Sequence, residues 1–86
     1  MARPNPSRET TTLAFSLARA GWVEVGVFGV DGRRVKTLLR AAMEPGFYDV
    51  QWNGADAAGR PVSAGVYFVR MLSSEGRLTR TLVRLR

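Results

Sequence analysis

The chain has 86 residues, enough for one domain and one core, because a chain of this length buries only about 60–65% of its unfolded surface. With 45% hydrophobic and 23% charged residues it has a globular balance, and its net charge of +6 comes from 13 basic residues, all arginine except Lys36, against 7 acidic ones. Cysteine and histidine are both absent, which excludes disulfides, thiolate nucleophiles, imidazole bases and the usual ligands of zinc and haem.

Residues 1–9 carry Pro4 and Pro6 without periodicity and read as an extended lead-in, leaving residues 10–86 as one domain. From Thr10 to Leu17 the pattern alternates, with Leu13, Phe15 and Leu17 on one face and Thr12, Ala14 and Ser16 on the other, a half-buried strand. Ala20–Gly21 breaks it, and Trp22 to Val30 forms a second strand with Val23, Val25 and Val27 on the core face. Asp31–Gly32 follows as a type I′ hairpin turn, since both residues tolerate positive φ. The return strand runs from Arg33 to about Leu39. Val35 and Leu38 cannot share one face of a regular strand, so either a bulge sits near Lys36–Thr37 or the chain makes a helical turn through Val35–Ala42.

Glu44–Pro45–Gly46 has turn chemistry and launches Phe47 to Trp52, where Tyr48, Val50 and Trp52 point to the core and Asp49 and Gln51 away. Asn53 to Gly65 is a long irregular connection rich in turn formers, with Val62 dipping into the core. Val66 to Leu72 is the most apolar strand, expected in mid-sheet with both faces covered. Ser74–Glu75–Gly76–Arg77 turns it into a last strand, Leu78 to Leu85, with Thr81, Val83 and Leu85 inward and Arg80, Arg84 and Arg86 outward. Arginine on the outer side of a terminal strand would discourage edge-to-edge pairing. Six or seven short strands without long helical periodicity make an antiparallel β-sandwich.

Two segments carry a family resemblance. Val27–Phe28–Gly29–Val30–Asp31–Gly32–Arg33 followed by Val35 and Leu38 is one, and Glu44–Pro45–Gly46 ahead of Tyr48, Val50, Trp52, Asn53, Gly54, Asp56, Gly59, Val62, Gly65, Val66, Tyr67 and Phe68 is the other. This pattern resembles the type A C-terminal sorting domains of the type IX secretion system and the related immunoglobulin-like domain of flagellar hook-capping proteins. Pro4–Asn5–Pro6 is similar to the lead into the first strand of the sorting domains, although Ser7 stands where phenylalanine is usual and Gly29 where aspartate is common. The resemblance implies an all-β, immunoglobulin-like antiparallel sandwich of six to seven strands. It marks Asp31, Gly32, Arg33, Pro45, Gly46, Trp52, Gly54, Asp56, Gly59, Gly65 and Tyr67 as motif residues.

As a sorting module the domain would direct an exported protein through the outer-membrane machinery to the cell surface. As a hook-cap-like module it would build a filament scaffold. Met1 to Pro6 lacks the apolar middle of a signal peptide and no apolar run reaches the ~18–20 residues of a membrane span. An export signal is therefore expected on a longer precursor.

Other chemistries are poorly served. Asp31, Asp49 and Asp56 fall in a turn, on an outward face and in a loop, and no serine has a base partner, so no catalytic residue is assigned. Asn53 and Asp56 offer a cation two side chains where calcium takes six or more oxygens, and turn chemistry accounts for both. No cofactor, metal or small-molecule substrate is expected. Lys36 reads as a surface lysine with a snorkelling stem rather than a cross-linking residue. The arginines are dispersed from Arg3 to Arg86 without a nucleic-acid-binding motif, so composition bias explains the charge and nucleic acid is not an expected partner. Protein partners are: secretion machinery or neighbouring subunits. Trp22, out of phase with the core valines, either joins Phe28 and Phe47 in an exposed apolar surface or packs on the opposite sheet edge. Arg80, Arg84 and Arg86 complete the expected partner surface, and a carbohydrate stacked on Trp22 is a further possibility.

Overall fold

The computed structural model describes residues 10–85; the lead-in over residues 1–9 and Arg86 lie outside them. Six strands form in chain order, β1 (Thr11–Leu17), β2 (Gly21–Gly29), β3 (Arg34–Met43), β4 (Gly46–Trp52), β5 (Gly65–Ser73) and β6 (Gly76–Arg84), with no helix among the described residues. They make two antiparallel sheets, β1–β4 and β3–β2–β5–β6. The architecture is an immunoglobulin-like β-sandwich.

The chain changes sheet at β1–β2, β3–β4 and β4–β5. The first two changes are short corners. At the second, Pro45 has no N–H to continue the β3 ladder, and the Tyr48 hydroxyl donates to the Glu44 carbonyl at 2.6 Å, tying the start of β4 across the corner. The register of β1 on β4 runs from Thr11 opposite Trp52 to Leu17 opposite Gly46. It places Leu13 across from Val50 and Phe15 across from Tyr48, whose rings stack at 5.5 Å.

The core follows the period-two pattern. Val23, Val25 and Val27 of β2, Val69 of β5, Leu82 of β6, Leu17 of β1 and Trp52 of β4 are all buried, with Val23 and Val27 fully enclosed. Leu13, Phe15, Tyr48, Val50, Val62, Tyr67 and Met71 pack around them. β5 is central, between β2 and β6. Its outer-face residues Phe68, Arg70 and Leu72 are half-buried by neighbours in the sheet, not by a further layer, and Val66 is exposed.

Two local expectations change, the hairpin turn and the phase of β6, and between them the bulged reading of β3 holds. The Asp31–Gly32 hairpin is not type I′, because among the described residues only glycines have positive φ and type I′ needs it at both central positions. Gly32 N–H donates to Gly29 O and Gly29 N–H to Arg33 O, a three-residue loop in which Gly32, at φ +84°, is the left-handed bulge residue. Asp31 Oδ1 accepts the Arg33 N–H at 3.0 Å and stiffens the turn.

β3 is a strand throughout and extends to Met43, which removes the helical alternative. It is bulged twice: Val25 faces Leu39 and Gly26 faces Thr37, while Val27 faces Lys36 and Phe28 faces Arg34, so Leu38 and Val35 are the extra residues. Each bulge turns an otherwise misphased apolar side chain onto the core.

The phase of β6 is the reverse of the expected one. Leu78, Arg80 and Leu82 pair with Met71, Val69 and Tyr67, all three of which meet the core. The inward set is therefore Leu78, Arg80, Leu82 and Arg84, with Leu82 and Arg84 buried, whereas Thr81 and Leu85 are exposed. The pairing with β5 decides the facing, and a one-residue offset inverts the whole strand.

Candidate partner-binding surface

The motif residues gather chiefly at one end of the sandwich and hold it closed. Trp52 is buried; its indole N–H donates to the Ala55 carbonyl at 2.8 Å, and its ring meets the edge of Tyr67 at 5.6 Å. The loop after it is built by two carboxamide or carboxylate side chains. Asn53 Oδ1 accepts from Ala55 N–H, and Asp56 Oδ1 accepts from the N–H groups of Ala58 and Arg60 at 3.0 and 2.9 Å. Gly59, at φ +87°, completes the Asp56 turn by donating its N–H to the Asp56 carbonyl.

The Ala57 N–H donates to Val35 O, stitching this loop to β3. Tyr67 donates its hydroxyl to the Ser63 carbonyl four residues upstream, which fixes the approach to β5 at Gly65. Asp31, Arg33, Asp56, Gly65 and Tyr67 line one broad open groove at this end, while Pro45 and Gly46 lie at the opposite end, beside Leu17. No group of three or more Asp, Glu, His or Cys side chains converges among the described residues.

Arg84 departs most from its expected place. It is 7% exposed, and its guanidinium carbon lies 5.3 Å from the centroid of the Trp52 ring. It packs against Gly54, where a Cβ would collide with the guanidinium. Arg84 is thus part of the closed end and not of an outer surface. Arg80 is exposed although it faces inward, because it lies over an uncovered part of the inner face. Arg86 lies outside the described residues.

The outer face of the four-stranded sheet carries the aromatics. Trp22 is 53% exposed; its indole N–H donates to Glu24 Oε2 at 3.1 Å, and Glu24 in turn lies 3.8 Å from Arg40. Phe28 is flanked by two guanidinium groups, Arg70 at 4.3 Å and Arg34 at 5.2 Å from its centroid. Phe47, 92% exposed, lies on the outward face of β4 in the other sheet, so it does not join Trp22 and Phe28 in one patch. The hairpin register makes Phe28 and Arg34 cross-strand neighbours, a pairing readable from the turn between them; Arg70 comes from β5 and has no such local signal.

This arrangement offers exposed surfaces for contact on both sheets. No helix there is long and apolar enough to cross a membrane.

No curated protein sequence matches the chain. The fold is similar to part of a solved structure, dimeric latent PorU from Porphyromonas gingivalis, with a TM-score of 0.73 and 18% identity. That match covers 99% of this chain and 9% of PorU, so the chain spans only a small fraction of that protein's length. The family model described as the FlgD Ig-like domain matches residues 5–77, a stretch that takes in the hairpin and both halves of the Trp52 loop. By that match the chain belongs to the FlgD Ig-like domain family.

Proposed function

We propose that the domain is a non-enzymatic sorting and anchoring module that directs a longer exported protein through type IX secretion to the cell surface or the medium. The observation that carries this reading is the run from Pro45–Gly46 through Trp52, Gly54, Asp56 and Gly59 to Gly65 and Tyr67. It resembles the sorting domains almost without gaps, and here its Trp52, Asp56 and Tyr67 side chains are engaged in closing the fold. The Trp52 indole N–H, the Asp56 Oδ1 and the Tyr67 hydroxyl are each taken by a backbone partner. Recognition then falls to surfaces, and the partners are proteins of the secretion machinery. The likeness to a domain-sized part of PorU supports a module borne on a larger protein.

The test is transplantation. Residues 1–86 fused to the C-terminus of an exported reporter should carry it across the outer membrane in a host with type IX machinery. Accumulation of the folded fusion in the periplasm would overturn the reading.

The family match favours a second reading, an immunoglobulin-like structural module of a hook-cap-like or surface-filament scaffold. It predicts concentration-dependent self-association or incorporation into a filament. A domain that stays monomeric at millimolar concentration, and is not incorporated, would remove it.

A further inference from the structure

The two sheets are unequal. The strands of a sheet lie about 4.8 Å apart, so two strands roof only about half the width of four. β3 and β4 meet at the Glu44–Pro45 corner, and an opening lies between β1 and β6. There an apolar cleft of about 30 Å³ is lined by Leu13, Phe15, Val25, Met71, Leu78 and Arg80. Leu78 points inward yet is 42% exposed.

We infer that this seam is an acceptor site for one extended segment of a partner protein, which adds to the free edge of β1 and covers Leu78 and Arg80. Four observations converge on it. Among the described residues β1 pairs only with β4, so alternate N–H and C=O groups along Thr11–Leu17 face away from any described strand. Those seven residues include no charge, no proline and no bulge, the devices that usually protect an edge. The other sheet's edges are protected: β3 is bulged twice, and β6 carries the exposed Arg77 and Arg80. The seam is also closed at both ends, by Glu75 Oε2 accepting the N–H groups of Ala18 and Arg19 at 2.8 and 2.9 Å, and by Arg84 over Trp52.

Between those stops, Leu78 to Leu82 spans about 13 Å, room for a strand of about five residues. Its inward side chains would be apolar against Leu13, Phe15 and Leu78. One would be acidic, opposite Arg80, which makes no ion pair among the described residues. Main-chain pairing supplies affinity and the alternating pockets supply selectivity. The inference holds whichever longer protein bears the domain.

The experiment uses the full chain and a capped hexapeptide, Val-Thr-Val-Thr-Asp-Thr, with a counterpart carrying lysine in place of aspartate. Amide exchange across Thr11–Leu17 should slow at least about tenfold on adding the first peptide. That peptide should bind about fivefold more tightly than the lysine form, with the preference reversed in Arg80→Glu. The inference is overturned by absence of protection at millimolar peptide, by protection confined to β3 or the outer side of β6, or by a charge preference indifferent to Arg80→Glu. Protection of β1 already present in the free chain would also overturn it, by showing the edge to be covered by the chain's own segment or, if it rises with protein concentration, by a second copy.

Discussion

The guanidinium of Arg84 fills the space beside Gly54 that any other residue would need for its Cβ. Gly54 also sits at φ +82°, a conformation that costs other residues about 1–2 kcal/mol. Two penalties therefore act at one position. Gly54→Ala should destabilise the domain by about 2–4 kcal/mol in urea unfolding. Arg84→Ala should cost about 1–3 kcal/mol through lost packing of its stem and guanidinium on Trp52. Because the truncation removes the group that collides with the new methyl, the double variant should lose less than the sum of the two. Strict additivity would show that Arg84 does not constrain Gly54.

Thr11 presents the opposite case. It is 2% exposed, opposite Trp52 in the β1–β4 register, and its hydroxyl has no hydrogen-bond partner among the described residues. An unsatisfied buried hydroxyl costs about 1–3 kcal/mol. Thr11→Val keeps the shape and the β-branching and removes that cost. The variant should gain about 1 kcal/mol and melt about 4–8 °C higher. A loss of stability would mean that the hydroxyl has a partner.

The Asp56 carboxylate organises the loop that covers Trp52, accepting from the amides of Ala58 and Arg60. Asp56→Ala leaves both donors to solvent and frees the turn. We expect a loss of about 1–2 kcal/mol in chemical denaturation, with Asp56→Asn intermediate because one oxygen acceptor remains. Added calcium should not restore the alanine variant, since the aspartate's role is local turn geometry.

Much of this fold is legible where period-two alternation is clean. Leu13, Phe15 and Leu17, then Val23, Val25 and Val27, then Tyr48, Val50 and Trp52 each mark one face, and each set meets the core. β6 defeats the same reasoning. Its two faces are equally ambiguous, Leu78 and Leu82 with two arginines on one, Val83 and Leu85 with two threonines on the other. Burial of β-branched and apolar residues favours the second face, but pairing with Met71 and Tyr67 selects the first. Arg84 is accepted inside because its guanidinium lies over an aromatic ring. Arg80 is accepted because the roof above it is missing. Neither condition is local in sequence, and both belong to the relative placement of the two sheets. The motif glycines are easier to read, since the positive φ of Gly54 and Gly59 is a backbone requirement that turn chemistry announces.

The two tryptophans test that placement directly, because the sandwich sends them to opposite environments. Trp52 is 1% exposed and hydrogen-bonded to Ala55, while Trp22 is 53% exposed on the outer face of the four-stranded sheet. Acrylamide should therefore quench one component of native fluorescence readily and leave the other nearly untouched. Trp22→Phe should abolish the quenchable component with little change in stability, about 0.5 kcal/mol or less for an exposed position. Trp52→Phe should instead cost about 2–4 kcal/mol by leaving a cavity and losing the indole hydrogen bond. If Trp22→Phe left the quenching profile unchanged, the emission accessible to solvent would come from Trp52. The closed end built by Arg84, Tyr67 and the Asp56 loop would then have to be open in solution.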